Sequence, residues 1–326
     1  MPQPLMSAAI EATDVAKDYA GTHALRGLSV SVAPGELFGL VGPDGAGKTT
    51  FLRILAGLLS LSAGTVRIDG IDVSTSPALV KERIGYMSQR FSLSETLTVA
   101  ENLLYVSEVW HVPHGERRKR ITRLLEFSRL GPFQDRLTRN LSGGMKQKLS
   151  LCTCLIHQPR ILLLDEPTIG VDPVSRRDFW LILYDLMHEG STILLSTPYM
   201  DEAERCGRVG FLLDGQLIAC GSPATLRAEL QTVILDLRCA DSRRARLALR
   251  HVAGMEEAVS FGEHLHVTIP RTGFDVDAGL RNLRAAGIEV QDWQIRKPSL
   301  EDVFLSYIHR RAEAAPATAN TSVSPP

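Results

Sequence analysis

A strand, a glycine-rich turn and a helix in immediate succession constrain this chain more than any other feature. Glu36-Leu-Phe-Gly-Leu-Val41 is an apolar run of strand length, Gly42-Pro-Asp-Gly-Ala-Gly-Lys-Thr-Thr50 follows it, and Lys48 to Leu59 carries Leu52, Leu55, Ala56 and Leu59 at helical spacing. The middle stretch fits G-x-x-x-x-G-K-[ST]. Glycines let the backbone curl until successive N–H groups aim at one anion, and the start of the helix adds its dipole. The loop therefore predicts a nucleotide site built from Gly42, Pro43, Asp44, Gly45, Ala46, Gly47, Lys48, Thr49 and Thr50. Lys48 would reach the β and γ phosphates and the Thr49 hydroxyl would ligate Mg²⁺. A glycine-rich turn that binds nothing is the alternative.

Two later segments fall in a fixed order behind it. Ile161-Leu-Leu-Leu-Asp-Glu166 is an apolar run ending in two carboxylates, the form of a central parallel strand that delivers acids to the carboxyl edge of a sheet. Asp165 there suits Mg²⁺ held through water, and Glu166 suits a general base for an attacking water; a solvated strand end is the alternative. Leu141-Ser-Gly-Gly-Met145 opens a helix running to about His157. Ser142, Gly143 and Gly144 form either a second anion cradle or an ordinary helix cap.

These residues resemble the nucleotide-binding domain of ABC transporters over roughly residues 8 to 226. The resemblance makes Gly42 to Thr50 the Walker A loop, Gln89 the Q-loop glutamine, Leu141 to Met145 the signature, Ile161 to Asp165 the Walker B strand and Gly170-Val-Asp-Pro173 the D-loop. It implies an α/β P-loop NTPase fold with a helical subdomain at about 90–160, ATP and Mg²⁺ as ligands, and Glu166, Gln89 and Lys48 as catalytic residues. Thr49, Gln89 and Asp165 are then the metal set. Tyr19 takes the place of the aromatic that stacks on adenine, or is a half-buried strand tyrosine. Three positions depart from the family: Met145 replaces a Gln, Asp44 replaces an Asn, and Pro198 in Ser196-Thr-Pro-Tyr199 stands where a His contacts the γ phosphate. Proline has no imidazole and no N–H, and one lost transition-state donor costs ~10²–10³ in rate. With Glu166 intact, an ATPase is still expected.

Composition agrees. With 44% apolar and 22% charged residues among 326, the chain reads as globular with about two domains. A net charge of −1 argues against a nucleic-acid surface, and the run Arg117, Arg118, Lys119, Arg120, Arg123 reads as a solvated helix face. No window approaches the ~18 apolar residues of a membrane span. The five cysteines lack C-x-x-C spacing and read as reduced, packed thiols.

Beyond a boundary near Leu230 the pattern changes to βαββαβα, the order of a small ferredoxin-like α+β unit over 231–310. His264 and His266 alternate along one of its strands as an exposed face. Ser299-Leu-Glu-Asp302 reads as a capping box for the last helix, and 311–326, rich in Ala, Thr, Ser and Pro, reads as a disordered tail. Lys297-Pro-Ser-Leu-Glu-Asp-Val-Phe304 resembles the C-terminal extension of ATP-binding subunits of type-2 exporters, the drug-resistance group included. The resemblance implies a peripheral protein on the cytoplasmic face of the inner membrane, partnered by polytopic permease subunits that dock at Arg90 to Leu103. It also implies a head-to-tail homodimer or heterodimer in which Ser142 to Gly144 of one copy close the Lys48 site of the other. A soluble ABC-type switch ATPase, and a slow ATP-sensing clamp favoured by Pro198, are the competing readings.

Overall fold

The computed structural model describes residues 8–249, 255 and 257–314. The chain divides into two compact units, one ending at Ser222 and one starting at Pro223. The short helix Pro223–Glu229 belongs to the second unit, where it packs against the helix Leu300–Ala314. The division thus falls before that helix, whereas the sequence places it after.

In the first unit a six-stranded sheet runs in the order Gln216–Gly221, Arg208–Leu213, Leu37–Val41, Thr192–Thr197, Ile161–Asp165, Ile84–Met87. All its pairings are parallel except the outermost hairpin of Arg208–Leu213 with Gln216–Gly221. Leu37–Val41 and Ile161–Asp165 are buried at every position, which is why they read as unbroken apolar runs rather than alternating ones. A four-stranded antiparallel sheet, Thr22–Val32, Ile10–Tyr19, Ala63–Ile68, Ile71–Asp72, lies in the same unit. The helix Lys48–Leu55 packs against strands of both sheets and buries Phe51, Leu52, Ile54 and Leu55 in their common core. It stops four residues short of the expected Leu59, because Gly57 turns left-handed at φ 63° beneath Pro77.

Between the strands Ile84–Met87 and Ile161–Asp165 the chain is helical, with Val99–Val109, His114–Phe127 and Gly143–Leu155. Thr98 and Glu101 form a reciprocal capping box at the first of these. The second begins and ends two to three residues earlier than the Glu116 to Leu130 that the apolar spacing of Ile121, Leu124, Leu125 and Phe127 or Leu130 predicts, and Arg129 at φ 59° closes it. Its basic residues make surface ion pairs, Arg117 with Glu108 and Arg123 with Glu189, as a solvated face does. Burial pushes the Cys152 thiol up to about 11 and Cys154 up to about 12, which suits packed, unreactive sulfur.

In the second unit an antiparallel sheet has the order Glu257–Phe261, His264–Pro270, Thr232–Cys239, Val290–Arg296. The helices Ser242–Leu249 and Val276–Ala285 cover one face over a core of Leu235, Leu237, Leu249, Leu265, Val267 and Leu283. On the other face Asp236, 1% exposed, accepts a hydrogen bond or ion pair from His264 Nδ1 at 2.9 Å and Arg296 Nη2 at 2.8 Å, with His266 Nε2 at 3.6 Å. Burial works to raise its carboxyl, but the His264 bond and the Arg296 charge hold it below the ordinary range. His264 and His266 therefore serve a buried acid rather than facing only water. Ser299 caps the last helix through Asp302, as expected. That helix continues to Ala314, so 311–314 are not part of a disordered tail; Arg311, Ala312, Glu313 and Ala314 are all good helix formers. The rest of the expected tail, 315–326, lies outside the described residues.

A chain ending at Ser222 is expected to fold and to bind ATP as the full chain does, because every phosphate-loop and carboxylate residue lies in the first unit. Circular dichroism and nucleotide titration check this; a folded truncation that no longer binds ATP would put the functional boundary elsewhere.

Candidate functional site

The phosphate loop leaves the carboxyl end of Leu37–Val41 and enters the helix at Lys48. Gly45 and Gly47 have φ of 80° and 106°, a left-handed geometry that costs glycine nothing. A side chain at Gly42 would lie 2.2 Å from the Leu212 carbonyl oxygen, and one at Gly47 would lie 2.6 Å from that of Ala24, so the tight path admits only hydrogen at both positions. Lys48, 4% exposed, donates to the carbonyls of Gly42 at 2.8 Å and Pro43 at 3.0 Å, and its Nζ lies 3.1 Å from Glu166 Oε1.

The two carboxylates arrive at the end of Ile161–Asp165, one strand beyond the parallel neighbour Thr192–Thr197. Asp165 Oδ1 accepts from the Thr49 hydroxyl at 3.1 Å and the Ser196 hydroxyl at 2.7 Å. Its Oδ2 is buried and has no hydrogen-bond partner. Glu166 sits at φ 49°, uncommon for a residue with a Cβ, and is held there by its N–H donating to Ser196 Oγ at 3.0 Å. Its Oε2 accepts from Gln89 Nε2 at 2.7 Å. Burial first, and the Asp165 charge second, push the nearby Tyr86 phenol above its ordinary value, so it stays protonated. Two hydroxyls, an orphaned carboxylate oxygen and the Gln89 amide are an oxygen-rich set that suits Mg²⁺.

Lys48, Thr49, Gln89 and Glu166 line a cavity of about 480 Å³ whose wall also includes Asp44, Gly45, Gly47 and Thr50. Thr22, His23, Ala24 and Arg26 from the first hairpin, with Asp214 and Gly215, complete it. None of those six stood out in the sequence, since hairpin residues carry no pattern that points across space. Ser196 was missed too, although a hydroxyl ending an apolar parallel strand was a usable signal. Tyr19 is 45% exposed and is not part of that wall; Lys17 Nζ lies 5.4 Å from its ring centre.

Ser142, Gly143 and Gly144 do not line this cavity either. Ser142 caps the helix Gly143–Leu155, its Oγ accepting from Met145 N–H at 3.3 Å. A Cβ at Gly144 would fall 2.3 Å from Ser175 Cβ, which fixes glycine there. Pro198 follows the strand Thr192–Thr197, and the turn around it is braced by Thr197 Oγ1, which accepts from Tyr199 N–H at 3.0 Å and donates to Glu202 Oε2 at 2.6 Å. Tyr199 is turned to Arg176, whose guanidinium lies 4.6 Å from the ring centre.

Residues 25–169 match the family model described as ABC transporter. The chain is 47% identical over 199 residues to the probable multidrug ABC transporter ATP-binding protein YbhF of Escherichia coli K12, a match covering 61% of this chain and 34% of that protein. The chain thus spans about a third of that relative's length. It is 35% identical over 306 residues to the daunorubicin/doxorubicin resistance ATP-binding protein DrrA of Streptomyces peucetius, covering 91% of this chain and 92% of that one. Among solved structures, the dimeric ATP-binding cassette MJ0796 in a post-hydrolysis state bound to ADP and Pi superposes with a TM-score of 0.60 at 27% identity, over 65% of this chain and 98% of that chain. A phosphate loop, a paired-carboxylate strand and a full-length relative of the same kind converge, and the chain belongs to the ATP-binding proteins of ABC transporters, a family of ATPase cassettes.

Proposed function

We propose that this protein binds and hydrolyses ATP to drive an exporter whose membrane-spanning subunits are separate chains. The observation that carries the reading is the convergence of Lys48, Thr49, Glu166 and Gln89 on one cavity at the glycine loop, with Asp165 bonded to the Thr49 hydroxyl. In it Lys48 and the loop N–H groups bind the phosphates, and Glu166 takes the proton of the attacking water while Gln89 holds its carboxylate in place. Thr49, Asp165 and Gln89 would hold Mg²⁺, which when bound neutralises charge on the phosphates. Tyr19 at the end of the first strand would meet the adenine from outside the cavity wall.

Because Ser142 to Gly144 lie outside the Lys48 cavity of their own chain, a head-to-tail pairing in which they close a second copy's cavity makes use of both halves; the dimeric cassette among the structural relatives supports this. Whether the second chain is identical is left to the two-fold arrangement, for which a homodimer is the simplest case. The second unit has the strand order and senses of a ferredoxin-like fold and serves as an accessory domain over roughly 223–314. Multidrug and resistance in the relatives' names support export. No helix among the described residues is long and apolar enough to cross a membrane; in this reading partner subunits form the path and this protein sits on their cytoplasmic side.

The docking surface continues past the expected Arg90 to Leu103. Phe91 is half-buried with Lys146 Nζ 5.3 Å from its ring centre, whereas Leu104, Tyr105 and Val109 on the next turns are 44%, 59% and 57% exposed. Tyr105→Asp is expected to remove the polytopic subunit from affinity-purified membrane complexes while ATP binding persists. Equal recovery from wild type and variant would reject that surface, and the absence of any co-eluting polytopic protein from wild type would reject the exporter reading in favour of a soluble switch ATPase. Pro198 keeps a second reading open, a clamp that dimerises on ATP and hydrolyses it slowly.

A further inference from the structure

The accessory sheet ends in a strand that is paired on one side only. Val290–Arg296 bonds Thr232–Cys239 and closes the order of the sheet among the described residues. All six residues from Gln291 to Arg296 are exposed, Trp293 at 43% and Ile295 at 54%, although the residues opposite them, Leu237 and Leu235, are almost fully buried. The apolar face of the sheet thus runs out beyond its helices at this edge. At the other edge, Ala258 and Val259 are half-buried and the strand packs against the helix Ser242–Leu249. An uncovered edge strand with outward apolar side chains is a template for strand addition.

We infer that the accessory unit joins a second copy of this chain, edge to edge, through antiparallel self-pairing of Val290–Arg296 about Gln294. The sequence is self-complementary in that register. Counting outward from Gln294 on the axis, Trp293 falls opposite Ile295 of the second copy and Asp292 falls opposite its Arg296, each pair occurring twice. An aromatic against a β-branched residue and an acid against a base are the favourable cross-strand pairs. Moving the axis by one residue to Trp293 sets Asp292 against Gln294 and Arg296 against Val290, and both ion pairs are lost. Asp292 Oδ1 now accepts from Trp293 N–H at 2.8 Å and would turn across the new ladder. Arg296 keeps Asp236 at 2.8 Å, since a guanidinium has five donors to share.

A pairing this short buries too little surface for a stable dimer alone. It acts as a second contact that strengthens a pair already joined through the first units, and it forms only transiently between copies that are not so joined. It goes beyond the proposed function and does not depend on the reaction.

Gln294→Cys in the full chain tests the register, in a Cys220→Ser background because Cys220 is the exposed native thiol. Across a two-fold axis at a non-hydrogen-bonded pair the two Cα atoms lie about 4.5 Å apart, within disulfide reach. Without nucleotide and under mild oxidation by diamide, this variant is expected to form a covalent dimer at least tenfold faster than Ser260→Cys on the opposite edge, and adding Ile295→Lys is expected to remove that advantage. Equal rates at 294 and 260, or a rate at 294 indifferent to Ile295→Lys, would overturn the proposal. Light scattering of the Cys220→Ser parent with and without Mg-ATP reads the nucleotide-driven dimer separately, so failure of the edge contact and failure of the ATP-driven pairing are told apart.

Discussion

Glu166→Gln is expected to lower steady-state ATP turnover by about 10²–10⁴-fold, the range a positioned general base contributes. The amide is isosteric and keeps the hydrogen-bonding reach toward Gln89 Nε2, which lies 2.7 Å from the native carboxylate, but it cannot accept the proton of water. Phosphate contacts by Lys48 and the loop are untouched. The variant should therefore accumulate as an ATP-bound dimer, visible as a doubling of mass in light scattering at saturating Mg-ATP. A second signature follows from burial. Lys48 and Glu166 are each 4% exposed and 3.1 Å apart, so the amide leaves the ammonium with only the Gly42 and Pro43 carbonyls. Without nucleotide the variant should melt below wild type, and with ATP the gap should close. A variant that stays monomeric in ATP and turns over at the wild-type rate removes Glu166 from the chemistry and the head-to-tail dimer with it.

The second large effect is in the opposite direction. Pro198→His is expected to raise kcat by up to ~10²-fold with little change in ATP affinity, because an interaction made only in the transition state alters the chemical step and not ground-state binding. The two flanking side chains are otherwise engaged: Thr197 Oγ1 with Tyr199 N–H and Glu202, and the Tyr199 ring with Arg176. The same brace lets the substitution be made, since Thr197 and Tyr199 hold the turn by contacts that do not pass through the proline ring. Steady-state rates of wild type and variant, with Glu166→Gln as the zero, decide it. An ordinary wild-type rate that falls when the imidazole is introduced would mean that the loop has been built around the fixed φ of proline, and the slow-clamp reading would be abandoned.

What could be read in advance follows from range. The phosphate loop is legible because strand, glycines, lysine and hydroxyl are consecutive, and local sterics alone decide their geometry. Ile161–Asp165 was legible because double-sided burial leaves an unbroken apolar run that ends where the acids begin. Thr22, His23 and Arg26 were not, since they reach the cavity through an antiparallel pairing with no signature of its own. Helix ends drifted for a related reason: Gly57, Arg129 and the run to Ala314 are settled by single backbone angles and propensities rather than by periodicity. The Asp236 cluster lay hidden because its members sit on three strands that only the fold aligns.

The contact between Lys48 and Glu166 imposes an order of events on the site. Lys48 Nζ and Glu166 Oε1 lie 3.1 Å apart and pair with one another, so in the proposed function the acceptor for a water proton is engaged by the lysine. A phosphate that takes the lysine competes directly with Glu166 for it, and the carboxylate regains a free oxygen only as that exchange is completed. Affinity for nucleotide would then be reduced by whatever the internal pair is worth, while water reaching Glu166 before that exchange would meet a carboxylate already engaged. In the proposed function the lysine would thus work as an interlock, arming the glutamate once a phosphate is in place and disarming it when the product leaves.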